Sequence, residues 1–264
     1  MNATLTFLGT GTSMGVPTVG CPCAVCTSAD AHDRRLRPSA LVRWKEPDGR
    51  ERTVVIDTGP DFRQQALNAG IRRVDAVFYT HAHADHILGM DDLRPLSFAA
   101  SPDGGTIALY ADEPTATVLR RIFDYTFSPQ STYPNRARVT LHPLSGRTAL
   151  HGVEFVRVPL LHGDLEISGF RFGSAAYLTD VSTIPEASFE LLRNLDVLVL
   201  SSLRHAPHPS HATLQQAVGW AERIGARQTW LTHIAHDLGH EETNRMLPET
   251  IRLAYDGLSV PVTL

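Results

Sequence analysis

Between residues 80 and 86 the chain reads Thr80-His81-Ala82-His83-Ala84-Asp85-His86. Three imidazoles and one carboxylate, all groups that bind divalent metals, fall within six residues. His81 and His83 are two apart, so an extended backbone turns both to one side. Asp85 and His86 follow on a turn and face a second point in space. Such a segment can supply two ligands to each of two neighbouring metals. A second set of soft ligands lies earlier, in Gly20-Cys21-Pro22-Cys23-Ala24-Val25-Cys26. The chain has only these 3 cysteines, an odd and clustered set that does not read as a disulfide framework. Three cysteines and one histidine make a closed tetrahedral zinc site. His236, three residues beyond His233, is the expected fourth ligand. A catalytic thiol is not expected, because no base is paired with it.

These groups need rigid elements behind them. Strands are expected at Thr4–Leu8, Ala40–Trp44, Arg52–Ile56, Ala76–Tyr79, Ile107–Tyr110, Gly152–Val158, Gly169–Phe172, Ala175–Leu178, Val197–Leu200 and Gln228–Leu231. Helices are expected at Asp61–Ala69, Asp92–Ala99, Glu113–Phe123, Pro185–Arg193, Thr213–Ile224 and Glu241–Leu247. Several apolar strands run directly into polar residues: Asp57, Thr80-His81, Asp180 and His233. Strand ends that each deliver an Asp or His suit a scaffold presenting ligands from its loops. The longest loop-like stretches, 9–37 and 124–138, do not have linker composition, so one domain over 1–264 is expected, with a Cys-rich loop at about 20–27. Sheets covered by helices, in an α/β or α+β layered arrangement, follow from the order of elements.

At 264 residues, with 42% hydrophobic and 20% charged residues, the chain can bury a substantial core, and bulk disorder is not expected. No run approaches a membrane helix. The start, MNATLTFLGTGTSMGVP, lacks the pattern of a secretory signal, so a cytoplasmic location is expected. A net charge of -4 disfavours broad capture of polyanions.

The HxHxDH segment resembles the signature of the metallo-β-lactamase fold superfamily. That resemblance implies an α+β fold, a four-layer αββα sandwich. It also implies further ligands. His162 in PLLHG, Asp180 in LTD and His233 in LTHI match the family's later motifs. By this likeness His81, His83 and His162 hold one metal, Asp85, His86 and His233 the other, and Asp180 touches both. Asp57 resembles the family's buried aspartate, which accepts a ligand histidine's free N–H or bonds backbone near the site. The cysteine loop together with Thr232-His233-Ile234-Ala235-His236 looks like the PhnP branch, phosphoribosyl cyclic phosphate phosphodiesterases. There the three cysteines and the second histidine, here Cys21, Cys23, Cys26 and His236, bind a structural zinc. The loop also fits PqqB, and the opening Gly9-Thr10-Gly11-Thr12-Ser13 resembles ribonuclease Z as well.

The expected activity is a dinuclear-metal-dependent phosphodiesterase acting on a small cyclic phosphate or nucleotide. Paired metals can generate hydroxide at neutral pH and clamp phosphoryl oxygens. Asp85 and His211 are the candidate catalytic residues. His211, in Pro209-Ser210-His211-Ala212-Thr213, matches the histidine beside the scissile phosphate in such enzymes and is the expected proton donor. His205 and His208 share its loop and are candidate substrate contacts. Arg34, Arg35 and Arg37 could meet phosphate, but a solvated basic run is the safer reading. Zinc, manganese or iron would suit the paired site. A homodimer is expected because relatives are often dimers; no membrane or stable nucleic-acid partner is expected. The alternatives are a PqqB-like accessory or carrier protein and tRNA 3′ processing like that of ribonuclease Z. The long basic arm usual in the latter is missing between His86 and His233. A lactonase or thioesterase is disfavoured by the His211 segment.

Overall fold

The computed structural model describes residues 1–99 and 105–264. The described strands are β1 (Asn2–Gly9), β2 (Ser39–Lys45), β3 (Glu51–Ile56), β4 (Ala76–Phe78), β5 (Ile107–Ala111), β6 (Val139–Pro143), β7 (Arg147–Leu150), β8 (Val153–His162), β9 (Leu165–Phe172), β10 (Ala175–Leu178), β11 (Val197–Ser201), β12 (Gln228–Thr232), β13 (Ile251–Leu253) and β14 (Ser259–Thr263). They form two seven-stranded sheets, ordered β14-β1-β2-β3-β4-β5-β6 and β13-β12-β11-β10-β9-β8-β7. Each sheet is antiparallel on one side and parallel on the other. The change falls at β3 in the first sheet and at β10 in the second.

The period-2 alternation of a strand explains the layers. In β3, Val54 and Ile56 point between the sheets, while Val55 points outward. In β11, Val197 and Val199 point inward, and Leu198 and Leu200 outward. Both faces are apolar because both are covered, as parallel strands require. Helices Phe62–Asn68 and Glu113–Ile122 bury Phe62, Ala116 and Leu119 on the outer face of the first sheet. Helix Leu214–Ile224 buries Leu214, Ala217 and Ala221 on the second. Two sheets flanked by helices are the expected αββα sandwich. No helix among the described residues is long and apolar enough to cross a membrane.

The ten expected strands and six expected helices are present with shifted ends. Four strands, β6, β7, β13 and β14, are additional, and each has a physical reason to be faint. β6 and β7 are sheet edges in which no residue is fully buried, so neither carries a core-facing apolar row. β13 has three residues, and β14 contains Pro261, tolerated because the strand lies at an edge. The loop-like stretch 124–138 opens with a short helix, Asp124–Phe127. The basic run is corrected at one place: Arg35 is 2% exposed, not solvated.

Candidate metal centres

Five strand ends meet at one edge of the sandwich. Leu178, Leu200 and Leu231 are in register across β10, β11 and β12. Asp180 and His233 each lie two residues beyond that row, so they arrive side by side. Ile56 and Phe78 are likewise paired in β3 and β4, just ahead of Asp57 and Thr80. His162 is the last residue of β8. Asp57, Asp180 and His233 all take left-handed backbone, with φ of 62°, 57° and 55°. Such conformations cost on the order of 1–2 kcal/mol each in non-glycine residues. They turn the chain sharply where each side chain enters the site. Asp85 and His86 sit in a one-turn helix, Ala84–Ile87. That turn is pressed onto the loop after β3: a Cβ on Gly59 would lie 2.0 Å from the Asp85 carbonyl oxygen. Thr58 N donates to the His86 carbonyl, and Gly89 N to that of Thr58, both at 2.8 Å.

The side chains form two adjoining groups. His81, His83 and His162 make one; Asp85, His86, Asp180 and His233 make the other, with ligand atoms in each within 4.8 Å of one another. His162, Asp180 and His211 also bring ligand atoms within 4.8 Å of one another, so the groups share an edge. His86 Nε2 lies 3.2 Å from both Asp85 and Asp180, and His233 Nε2 lies 3.1 Å from Asp180. These pairs are close, yet His86 Nε2 and both His233 nitrogens are buried without a hydrogen-bond partner. Unpaired buried imidazole nitrogens aimed at carboxylates suit a divalent cation between them better than a hydrogen-bond network. Only His83 of the seven is exposed, so the cluster opens on its side.

Surrounding atoms set which nitrogen each ring presents. Asp57, fully buried, accepts from Thr80 N at 2.8 Å, Thr80 Oγ1 at 2.7 Å and His86 Nδ1 at 2.7 Å. His86 is thereby left with Nε2 toward the cluster. His162 Nδ1 donates to the Ser210 carbonyl at 2.6 Å, which frees its Nε2 in the same way. The electrostatics divide accordingly. Burial, then the charge on His86, holds His81 well below the usual histidine range. Burial opposes ionisation of Asp180, but His233 and His86 hold its carboxyl well below the carboxylate range. Burial also opposes charge on His233, yet Asp180 and Asp85 lift it to about 9. His211 is pushed down to about 3 by burial and by the positive His233 beside it. The rings of His211 and His233 stack at 4.7 Å. His208 packs against His211 at 4.9 Å, whereas exposed His205 belongs to neither ligand group.

The cysteine loop closes on the segment just after His233. Cys21, Cys23, Cys26 and His236 present ligand atoms within 4.8 Å of one another. His236 Nδ1 is 3.3 Å from Cys21 Sγ and 3.2 Å from Cys23 Sγ. None of the cysteines is in a disulfide. The Cys26 N–H, then His236, holds the Cys23 thiol down to about 6, a value suited to a thiolate ligand. Two contributors were not foreseen from sequence: Thr80, which ties Asp57 to the histidine turn, and the Ser210 carbonyl. A hydroxyl and a backbone oxygen carry no distinctive sequence signal.

Residues 52–234 match the family described as the Beta-lactamase superfamily domain. The chain belongs to this superfamily. It aligns with a solved structure described as a new diphosphatase from the PhnP family at 55% identity and TM-score 0.92, covering 99% of this chain and 98% of that one. This superfamily member is thus also a member of the PhnP family. An octanoyltransferase of Porphyromonas gingivalis is 38% identical over 256 residues, 96% of this chain. The chain spans half the length of that relative. A coenzyme PQQ synthesis protein B of Methylorubrum extorquens is 34% identical over 131 residues, 45% of this chain and 40% of the relative.

Proposed function

We propose that the chain is a dinuclear-metal-dependent phosphodiesterase that cuts a P–O bond in a small substrate. The observation that carries this reading is the convergence of seven imidazole and carboxyl groups on two adjoining positions. His81, His83 and His162 would hold one ion, Asp85, His86 and His233 the other, with Asp180 reaching both. Two bound divalent ions would lower the pKa of water and neutralise phosphoryl oxygens. Asp85 and Asp180, kept ionised by their histidine neighbours, supply the anionic charge that retains such ions. His211 lies beside both groups, where it can hand a proton to a departing oxygen. An anionic substrate beside it opposes the forces that now strip its proton. His208, packed on His211, would line the approach, with the exposed His205 further out.

Cys21, Cys23, Cys26 and His236 would hold a third ion, most naturally zinc, as a closed structural site. Three thiols that must stay reduced suit the cytoplasm. The net charge of -4 favours a small phosphodiester over a large nucleic acid. A homodimer is the proposed assembly, testable by light scattering against the chain mass of 29.0 kDa.

The bond itself has two candidates. A cyclic ribose phosphate is what the resemblance to the PhnP branch implies; a diphosphate linkage is favoured by the diphosphatase relative at 55% identity. The test is one panel with manganese- or zinc-loaded protein: a ribose cyclic phosphate, a 2′,3′-cyclic nucleotide, a bis-aryl phosphate, a dinucleotide joined through diphosphate, and a lactone. Turnover of phosphate esters or diphosphates is expected. Turnover of the lactone alone would overturn the reading.

A further inference from the structure

His233 and His236 stand three residues apart on one short segment, yet they serve two different ligand groups. One buried side chain grips that segment. Arg35 donates from Nη1 to the Ala235 carbonyl at 3.0 Å, between the two histidines. Its Nη2 donates to the Leu238 carbonyl at 2.7 Å and to Asp33 Oδ1 at 3.1 Å, and its Nε to the His32 carbonyl at 3.3 Å. The side chain of Arg35 is 0% exposed. Asp33 completes the clamp by accepting from His240 N at 2.8 Å. The backbone of Arg35 is fixed in turn. It exchanges hydrogen bonds with Val16 at 2.7 and 2.9 Å, just ahead of the cysteine loop.

Burying a guanidinium is costly unless every donor finds a partner, so this arrangement is strongly specified. The planar fork reaches three carbonyls and a carboxylate at once; an ammonium cannot reproduce that geometry. We propose that Arg35 is a positioning residue shared by the two metal sites: it sets the 233–238 segment so that His233 and His236 reach their separate sites together. This rests on the metal reading above. It adds that affinity at both sites depends on one side chain that touches neither.

The experiment is cobalt(II) titration of wild type and Arg35→Lys. The cysteine site is read by its thiolate-to-cobalt charge-transfer band, and the histidine site by its d–d bands and by competition with a chelator. Val153→Ala, a core change remote from both sites, serves as a control for general destabilisation. Arg35→Lys is expected to weaken cobalt binding about tenfold or more at both sites while far-UV circular dichroism is retained. Val153→Ala should leave both affinities within about twofold of wild type. Unchanged affinities in folded Arg35→Lys, or weakening at one site only, would overturn the shared role. If Arg35→Lys does not fold, Asp33→Asn keeps the acceptor and removes its charge. It should weaken both sites by about threefold, and no change at either would overturn the proposal. Wild type that binds no cobalt would instead defeat the metal reading, a distinct result.

Discussion

Asp57 and Ser210 do the same job by different chemistry. Each accepts the Nδ1–H of a histidine and so aims Nε2 at the cluster. Losing such an outer partner typically costs 10–100-fold in metal affinity. Asp57→Ala should therefore weaken binding at the His86 position by roughly that factor, read by chelator competition, and Asp57→Asn should do less harm because it keeps an acceptor. His211 makes a different prediction, since its proposed part is in the reaction rather than the scaffold. His211→Ala should lower kcat by roughly 10²–10⁴ with metal content unchanged, measured by steady-state kinetics and metal analysis on the same sample. Activity within about twofold of wild type would remove the proton-donor role.

At the scale of elements, the site depends on how closely two loops approach. The turn bearing Asp85 and His86 lies against the loop after β3 because neither Gly59 nor Gly89 has a side chain. Gly59→Ala would drive a methyl group into backbone, which cannot swing away. A loss of about 3 kcal/mol in urea unfolding is expected, together with loss of metal binding. Gly219 is the contrasting case. It lies within helix Leu214–Ile224, and a Cβ there would meet nothing within 4 Å. Gly219→Ala should raise stability by about 0.5–1 kcal/mol in the same assay and leave activity intact.

For the whole molecule, the ions would couple folding to metal supply. Ligands that bind only the folded state stabilise it in proportion to the logarithm of their concentration. Stripping metal with a chelator should lower Tm, and restoring zinc or manganese should recover it; a Tm indifferent to both would argue against either site being filled. At the cysteine loop two thiols shift in opposite directions: the Cys26 N–H, then His236, holds Cys23 down, while burial pushes Cys26 up to about 11. The pH dependence has a definite sign for Cys23 alone. The Cys23 thiol falls from its ordinary 9.0 to about 6 on folding. Its stabilising effect is thus fully present above pH 9 and is lost as pH falls through about 6. Protons compete for the same sulfur, so metal at this site should be released progressively on acidification through that range, followed by the cobalt charge-transfer band. Retention that stays constant well below pH 6 would count against the site.

The candidate ligand residues, their order and the strands that carry them were legible in the sequence, because apolar runs that end in Asp or His are local patterns. HxHxDH declared itself for the same reason, since its ligands lie within one turn of chain. The sandwich followed from the order of elements together with family likeness. Tertiary structure alone decided the rest. It alone brings His162, Asp180 and His233 against that turn, because strand register is a relation between distant segments. It turned Arg35 from a member of a basic run into a buried clamp, since burial depends on what folds over a residue. It also recruited a threonine and a backbone carbonyl, groups whose role comes from position rather than residue type.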